Sequence, residues 1–561
     1  MEVPVALHPK GNGLSLRSLQ VQRLGPGPTD LAPRSQDASL AGLAGLAAAS
    51  FARAKAAKAK HRRRSLAEDV ATAIEEVTNT AEDALLHLSR LPAWLPGEKT
   101  VPEDAGGTRK RRVVVLGTGW AAHAIAKIVD ISKVEVCVVS PRNYFIFTPM
   151  LAAASVGTVE YRSILEHIRS ANPTIGYLQG TCKSVDFEKK ELVISPYPPG
   201  VESDFNLPYD VLVVAVGLRP SSLGVPGVDA NCLFLKNIED ARRIRKQVTQ
   251  NFEAADLPVK TDEERRRLLT FLVVGGGPTG CEFCGELSDF VKNDLRRFYP
   301  RLAPLVRIIL LHRGKQVLPS FSGNLQTAAR ETLENQGIEV MTSASVSQVD
   351  AEQVHIQKED GKMALPCGLT VWAAGQIGQD LVREMHQAIP EQQELAQSEA
   401  KGSDRQLFVD KWLRACGTDG SVLALGDCAR MEHEEPLPET AQVAAQQGAF
   451  VARLLNRQYD LTQPVPVLES SEKFDLAHIT KRPEASPFRF LDLGRLAYLG
   501  QSQAVAELGL GSTPVSETKG LAAFVLWRSV YIVKQVSFRN RVLVLFDWIK
   551  SRLFGRDLTR F

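Results

Sequence analysis

The chain has 561 residues, 44% apolar and 23% charged, with a formal net charge of +3. This is ordinary globular composition, which excludes collagen-like, disordered and disulfide-scaffold classes and leaves room for roughly two to four domains. Eight sparse cysteines, mostly unpaired by spacing, point to a reducing compartment, and no 18-residue window lacks a charge, so no segment meets the length rule for a spanning helix.

Charge is unevenly placed along the chain. Residues 1–64 carry eleven Lys/Arg against three acids, +8, and residues 519–561 nine against two, +7, so the residues between hold −12. An acidic body with basic ends argues against a nucleic-acid surface and aims the ends at anionic partners. The front is rich in Ala, Ser, Gly and Pro and ends in Lys58, Lys60, Arg62, Arg63 and Arg64. It reads as an organelle transit peptide, with a disordered basic tail as the alternative. Residues 65–109 follow as an amphipathic helix and a linker.

In the next segment, 110–240, an apolar strand at 113–116 runs into Gly117-Thr118-Gly119-Trp120-Ala121-Ala122 and then a helical pattern. This is G-x-G-x-x-A between strand and helix. The first glycine makes the tight turn, the second admits a pyrophosphate to the backbone, and the small third residue, Ala122, lets helix and strand pack. A second strand at 134–139 ends at Ser140, where an acid usually holds a ribose. The buried strand 209–216 ends in Gly217, as expected of a chain returning to the first sheet.

The motif recurs in 241–375, with strand 271–274 followed by Gly275, Gly277 and Gly280 in full register, 158 residues after the first copy. Its partner strand, 306–311, ends in His312 and Arg313. The ribose position again lacks a carboxylate, and Arg313 has the chemistry to pair with a 2′-phosphate or else is a solvated strand end. The strand 369–372 closes this unit at Gly375, and 289–304 lengthens the crossover. In 376–510, strand 422–425 ends in Gly426-Asp427, which places a carboxylate at a flavin ribityl group or, alternatively, at a helix N-terminus.

In 511–561, Leu521, Phe524, Val525, Val533, Leu545 and Leu553 recur at near-helical spacing among Arg528, Lys534, Arg541, Lys550 and Arg552. Such a basic amphipathic segment lies in a membrane interface, with Trp527 and Trp548 expected at headgroup depth. A helix pair closing a dimer is the alternative.

These residues resemble the two-dinucleotide-domain flavoproteins and, among them, the type II NAD(P)H:quinone oxidoreductases, the single-subunit alternative dehydrogenases, especially plant and algal members. The matching motifs are 139–145 with Thr148-Pro149, Gly277-Pro278-Thr279-Gly280 with Glu282, 441–448, 496–500, and the tail 527–529 to 555–557. The resemblance covers about residues 110 to 560. It implies an α/β fold with two Rossmann-like dinucleotide-binding domains, for FAD and NAD(P)H, and a C-terminal amphipathic helical membrane-anchoring region.

FAD, held non-covalently, would rest on Gly117, Gly119, Ala122, Ser140, Arg142, Thr148, Gly217, Gly426 and Asp427. NADH or NADPH would rest on Gly275, Gly277, Gly280, His312, Arg313 and Gly375. The resemblance puts Glu282 near the nicotinamide, and Gln442 and Gln446, which share one helix face at i and i+4, beside a membrane quinone, ubiquinone or plastoquinone. Amides satisfied by neighbouring backbone are the alternative for that pair. His312 departs from the bacterial pattern, where Glu is usual. Family members often pair through their C-terminal region, so a homodimer is expected, on a mitochondrial inner or chloroplast thylakoid membrane. No EF-hand loop is present in the sequence and calcium control is not expected.

The implied reaction is a hydride from NAD(P)H to FAD and two electrons onward to the quinone, without proton pumping. Three rival readings remain. Cys281-x-x-Cys284 has dithiol-reductase spacing, but it follows Gly280 inside the nucleotide helix, where small packing residues are needed. A sulfide:quinone oxidoreductase is disfavoured because Cys182, Cys367 and Cys416 lack a motif tying them to a flavin. A non-enzymatic flavin-binding membrane scaffold or redox sensor predicts bound FAD without turnover.

Overall fold

The computed structural model describes residues 66–89, 109–398, 403–432, 434–468, 482–511 and 513–559. The transit-peptide segment, 1–64, lies outside the described residues. Helix α1 (Leu66–Ser89) precedes the first nucleotide unit.

The first sheet has seven strands. Parallel strands β1 (Arg111–Leu116), β2 (Val134–Ser140), β3 (Gly176–Asp186), β6 (Val211–Val214) and β14 (Val422–Ala424) run in the order β14-β6-β1-β2-β3, and β4 (Glu191–Pro196) and β5 (Phe205–Pro208) extend it antiparallel beyond β3. Val113, Val114 and Val115 in β1 and all of β6 are buried, as a parallel sheet covered on both faces requires. Each such side chain contributes about 1.5–3 kcal/mol by leaving water. Helix α2 (Trp120–Ile128) follows β1.

The second sheet is fully parallel, in the order β8 (Leu233–Phe234), β12 (Leu369–Trp372), β9 (Thr270–Val274), β10 (Arg307–Leu311) and β11 (Ile338–Met341). Helix α3 (Ile238–Ala255) lays Ile244, Val248 and Phe252 into its core, and α4 (Pro278–Phe290) follows β9. The chain leaves the first unit along β7 (Leu218–Pro220) and returns along β13 (Gln376–Gly378), and these two strands pair antiparallel. The domain edge expected at 240/241 therefore moves: β8 already pairs within the second sheet at residue 233.

After α5 (Ala441–Asn456) comes an antiparallel meander of β15 (Gly494–Gly500), β16 (Gln503–Leu510) and β17 (Thr513–Gly520). An edge at 510/511 would cut this sheet between paired strands, so the C-terminal region begins near 494. It ends in α6 (Leu521–Lys534) and α7 (Phe538–Phe554), separated at Gln535 to Ser537, where the Ser537 hydroxyl accepts from Asn540 N–H at 3.2 Å and starts the second helix.

Trp527 and Trp548 are only 4% and 5% exposed, with ring centroids 6.2 Å apart. They belong to the core that joins α6 and α7 to the body, not to a headgroup layer. The exposed apolar face consists instead of Val525, Val533, Phe538, Val542, Phe546, Leu553 and neighbours. No helix of the described residues is long and apolar enough to cross a membrane.

Candidate functional site

Each β-turn-α unit opens at the carboxyl ends of its parallel strands, where ligands of doubly wound sheets bind. The three motif positions have distinct steric duties. Gly117 and Gly275 sit at φ +109° and +120°, and a Cβ there would lie 2.5 Å from Ala215 O and 2.6 Å from Ala373 O. Gly119 and Gly277 face open space, with nothing within 4 Å of a Cβ. At the third position a Cβ on Gly280 would reach 1.9 Å from Gly275 O, whereas the first unit accommodates the buried methyl of Ala122. No side chain caps the first turn of α2 or α4, so their N–H groups stand bare for a phosphate.

At the first mouth, Thr118 Oγ1 meets Ser140 Oγ at 3.3 Å and donates to Arg142 O, while Arg142 N–H donates to Ser140 Oγ at 3.2 Å. Trp120 Nε1 donates to Thr148 Oγ1 at 3.0 Å. Gly217 faces open space at φ +64°. Asp427 stands on the turn after β14, 3.7 Å from Lys236 Nζ, and caps no helix: α5 starts on the Thr440 hydroxyl. Bare amides, an open glycine and this carboxylate fit a dinucleotide with a polyhydroxylated chain.

At the second mouth, Gly276 N–H donates to His312 Nδ1 at 3.2 Å, and burial pulls the imidazole below its usual pKa. Arg313 is exposed. Gly375, at φ +75°, lies under the Leu223 side chain.

Glu282, on the first turns of α4, is 8% exposed and turned toward the C-terminal region. Its Oε1 accepts from Tyr498 N–H at 3.3 Å, and Trp527 lies beside it. Burial, seconded by Glu286, pushes its carboxyl up to about 8, against the lowering by the Tyr498 amide, so it carries a proton at neutral pH.

Gln442 and Gln446 do share a face of α5. Gln446, however, donates through Nε2 to Leu491 O at 2.9 Å and accepts from Leu491 N–H at 3.0 Å. It is a backbone clamp, which corrects the expectation of a quinone-facing amide. Gln442 donates to Asp492 Oδ1 at 3.3 Å. Gln447, next to Gln446 in the chain, accepts from Gly426 N–H at 2.6 Å and ties α5 to the Asp427 turn.

Cys281 and Cys284 are fully buried, and burial holds both thiols well above the ordinary range. Neither can be the accessible thiolate that dithiol exchange needs. All eight cysteines are free.

Sequence reasoning missed a buried ionic knot. Arg556, 9% exposed at the side chain, meets Asp294 at 2.7 Å and Glu286 at 3.4 Å, and its Nε donates to Thr158 Oγ1 at 2.9 Å. Tyr498 OH donates to Asp289 at 2.6 Å. The signal was present: Glu282, Glu286 and Asp289 recur at helical spacing on a helix that is otherwise apolar. A second set binds α1 to α5, with Arg453 on Glu76 and Asp83 at 3.1 and 2.7 Å and Arg457 on Glu82 at 2.8 Å.

The pyridine nucleotide-disulphide oxidoreductase family model matches residues 111–448, and the NDH2 C-terminal domain model matches 493–557. A mitochondrial external alternative NAD(P)H-ubiquinone oxidoreductase, B2, of Arabidopsis thaliana is 34% identical over 550 residues, covering 80% of this chain and 90% of its own. The mitochondrial external alternative NADH-ubiquinone oxidoreductase of Yarrowia lipolytica is 37% identical, covering 80% and 81%. Among solved structures, NDH2 of Plasmodium falciparum in complex with NADH superposes with a TM-score of 0.71 at 26% identity, over 81% of this chain and 100% of that one.

Proposed function

The chain belongs to the family of type II NAD(P)H:quinone oxidoreductases, and from that membership we propose how its residues divide the work and where it acts. It is an FAD-dependent, non-proton-pumping oxidoreductase. Bound FAD would supply the redox chemistry that links hydride donation by NAD(P)H to two-electron reduction of a quinone. The turn of Gly117 and Gly119 would hold its pyrophosphate on the N-terminus of α2, Ser140 and Arg142 would hold its ribose side, and Asp427 its ribityl hydroxyls. Gly275, Gly277 and Gly280 present the N-terminus of α4 to NAD(P)H. The single observation that carries this division is the pair of glycine turns, alike at their first two motif positions, each opening at the carboxyl end of its own parallel sheet.

Glu282 holds a proton beneath the C-terminal meander, available to a quinone that gains two electrons and two protons. Gln442 orients the quinone headgroup, while Gln446 fixes the loop at 491–492 that borders it. The apolar face of α6 and α7, with Lys534, Arg541 and Arg552 exposed beside it, sets the chain on a membrane surface. Its curated relatives are mitochondrial ubiquinone reductases, and we assign this chain the same acceptor and a mitochondrial membrane. Pairing of two copies through the C-terminal region is the further expectation, checked by the mass in solution.

The test is anaerobic titration of the purified protein with NAD(P)H, then with a short-chain ubiquinone. The expected result is a yellow protein whose flavin absorbance bleaches and returns. A colourless preparation that takes up no FAD would overturn the reading.

A further inference from the structure

The second mouth carries a feature that the reaction itself does not require. At the end of β10, where a carboxylate would hydrogen-bond a 2′-hydroxyl and repel a 2′-phosphate, the chain places His312, Arg313, Gly314 and Lys315. His312 is locked in place. Its Nδ1 accepts from Gly276 N–H at 3.2 Å, its ring also bonds the backbone of Gln316, and a Cβ on Gly276 would come within 2.7 Å of the ring. Unlike a carboxylate, the imidazole brings no negative charge to this position.

Arg313 and Lys315 are exposed and form no ion pair among the described residues. The acid on the neighbouring strand, Glu339, pairs with Ile309 in register and is taken by Arg307 at 2.8 Å, toward the opposite end of β10. Two unpaired cations therefore flank a ribose position without a competing carboxylate. Arginine with a second cation is the donor set that suits a phosphate monoester dianion.

We propose that His312 to Lys315 form a 2′-phosphate subsite, and that this chain takes NADPH in preference to NADH. The proposal rests on the assignment of the Gly275–Gly280 turn to the nicotinamide dinucleotide.

The experiment has two arms on the full chain loaded with FAD. In the first, adenosine 2′,5′-bisphosphate and 5′-AMP are titrated by thermal shift. The bisphosphate should bind at least about tenfold more tightly, and the advantage should shrink with added salt and below about pH 6, where the 2′-phosphate dianion takes up a proton and becomes a monoanion. In the second, kcat/KM is measured for NADPH and NADH with a short-chain quinone. NADPH should be favoured, Arg313→Ala and Lys315→Ala should each lower the NADPH/NADH ratio roughly tenfold, and His312→Glu should invert it. Flavin content checks that each variant is folded.

Equal binding of the two adenosine phosphates, or a ratio that neither cation changes, overturns the subsite. A protein that prefers the bisphosphate yet oxidises neither nucleotide would keep the subsite and defeat the oxidoreductase reading instead.

Discussion

The two nucleotide helices begin alike and are backed by different interiors. Helix α2 lies so close to α5 that a Cβ on Gly448 would come within 2.3 Å of Ala121 O. Helix α4 lies as close to the meander, where a Cβ on Gly285 would come within 2.5 Å of Gly500 N. Behind α2 the contact is largely apolar and leads to the helix bearing Gln442. Behind α4 it is a stack of buried acids, Glu282, Glu286 and Asp289, answered by Tyr498 and Arg556 from the C-terminal region. One short motif thus sits on two interiors of different polarity, and the difference comes from what packs behind the turn rather than from the turn.

Crossed substitutions are the strongest way to break this contrast. Gly280→Val should lower NAD(P)H oxidation by a hundredfold or more, while the FAD-to-protein ratio stays at that of the native chain, because the clash is with the Gly275 carbonyl inside the second unit. Gly448→Val should do the reverse and lose flavin, read from the absorbance of the purified variant. If both variants lose flavin equally, the units are not separable in this way.

Next in size is Arg556→Ala, which leaves Glu286 and Asp294 buried without their cation. It should cost about 3–5 kcal/mol of stability, seen as a lowered Tm. An unchanged Tm would show that these acids are not held as ions by the tail.

Glu282→Gln sharpens the electrostatic half of the contrast. The carboxyl pKa is raised from 4.5 to about 8 in the folded chain, so the folded state binds the extra proton between those values. Stability should fall as pH rises through that window, by on the order of a few kcal/mol, and the amide should flatten the fall. Parallel pH curves for the two proteins would refute the buried-acid account.

The smallest thermodynamic effect is expected at the surface. Phe538→Ser with Phe546→Ser should leave Tm within a degree or two, since both rings are already exposed. The same pair should reduce co-sedimentation with anionic liposomes several-fold, and undiminished binding would remove α6 and α7 as the membrane face.

The turns were legible in the sequence because backbone geometry admits so few residues there. A position at φ +109° or +120°, or one with a carbonyl 1.9 Å from a Cβ, leaves its mark as a glycine. The strands were legible as unbroken apolar runs, and Asp427 as a carboxylate at the end of one of them. What was not legible depends on pairings between distant segments. Nothing local to Gln446 says that its amide spans both backbone groups of Leu491. Trp527 and Trp548 have the spacing of a surface stripe, and only the fold of α6 against α7 turns them inward. The domain edges failed for the same reason: a two-residue strand such as β8 has no pattern of its own and is defined by its neighbour Trp372.

Arg556 lies 262 and 270 positions after the acids it neutralises. At a synthesis rate of roughly 5–20 residues per second, the second nucleotide unit spends on the order of tens of seconds outside the ribosome before its counter-ion exists. During that interval the base of α4 must stay hydrated or protonated, so its interior can dry out only after the C-terminal region docks. Docking of the C-terminal segment is thereby a late step in the folding of this half, and a nascent chain stalled short of it would present chaperones with a loosely packed second nucleotide unit.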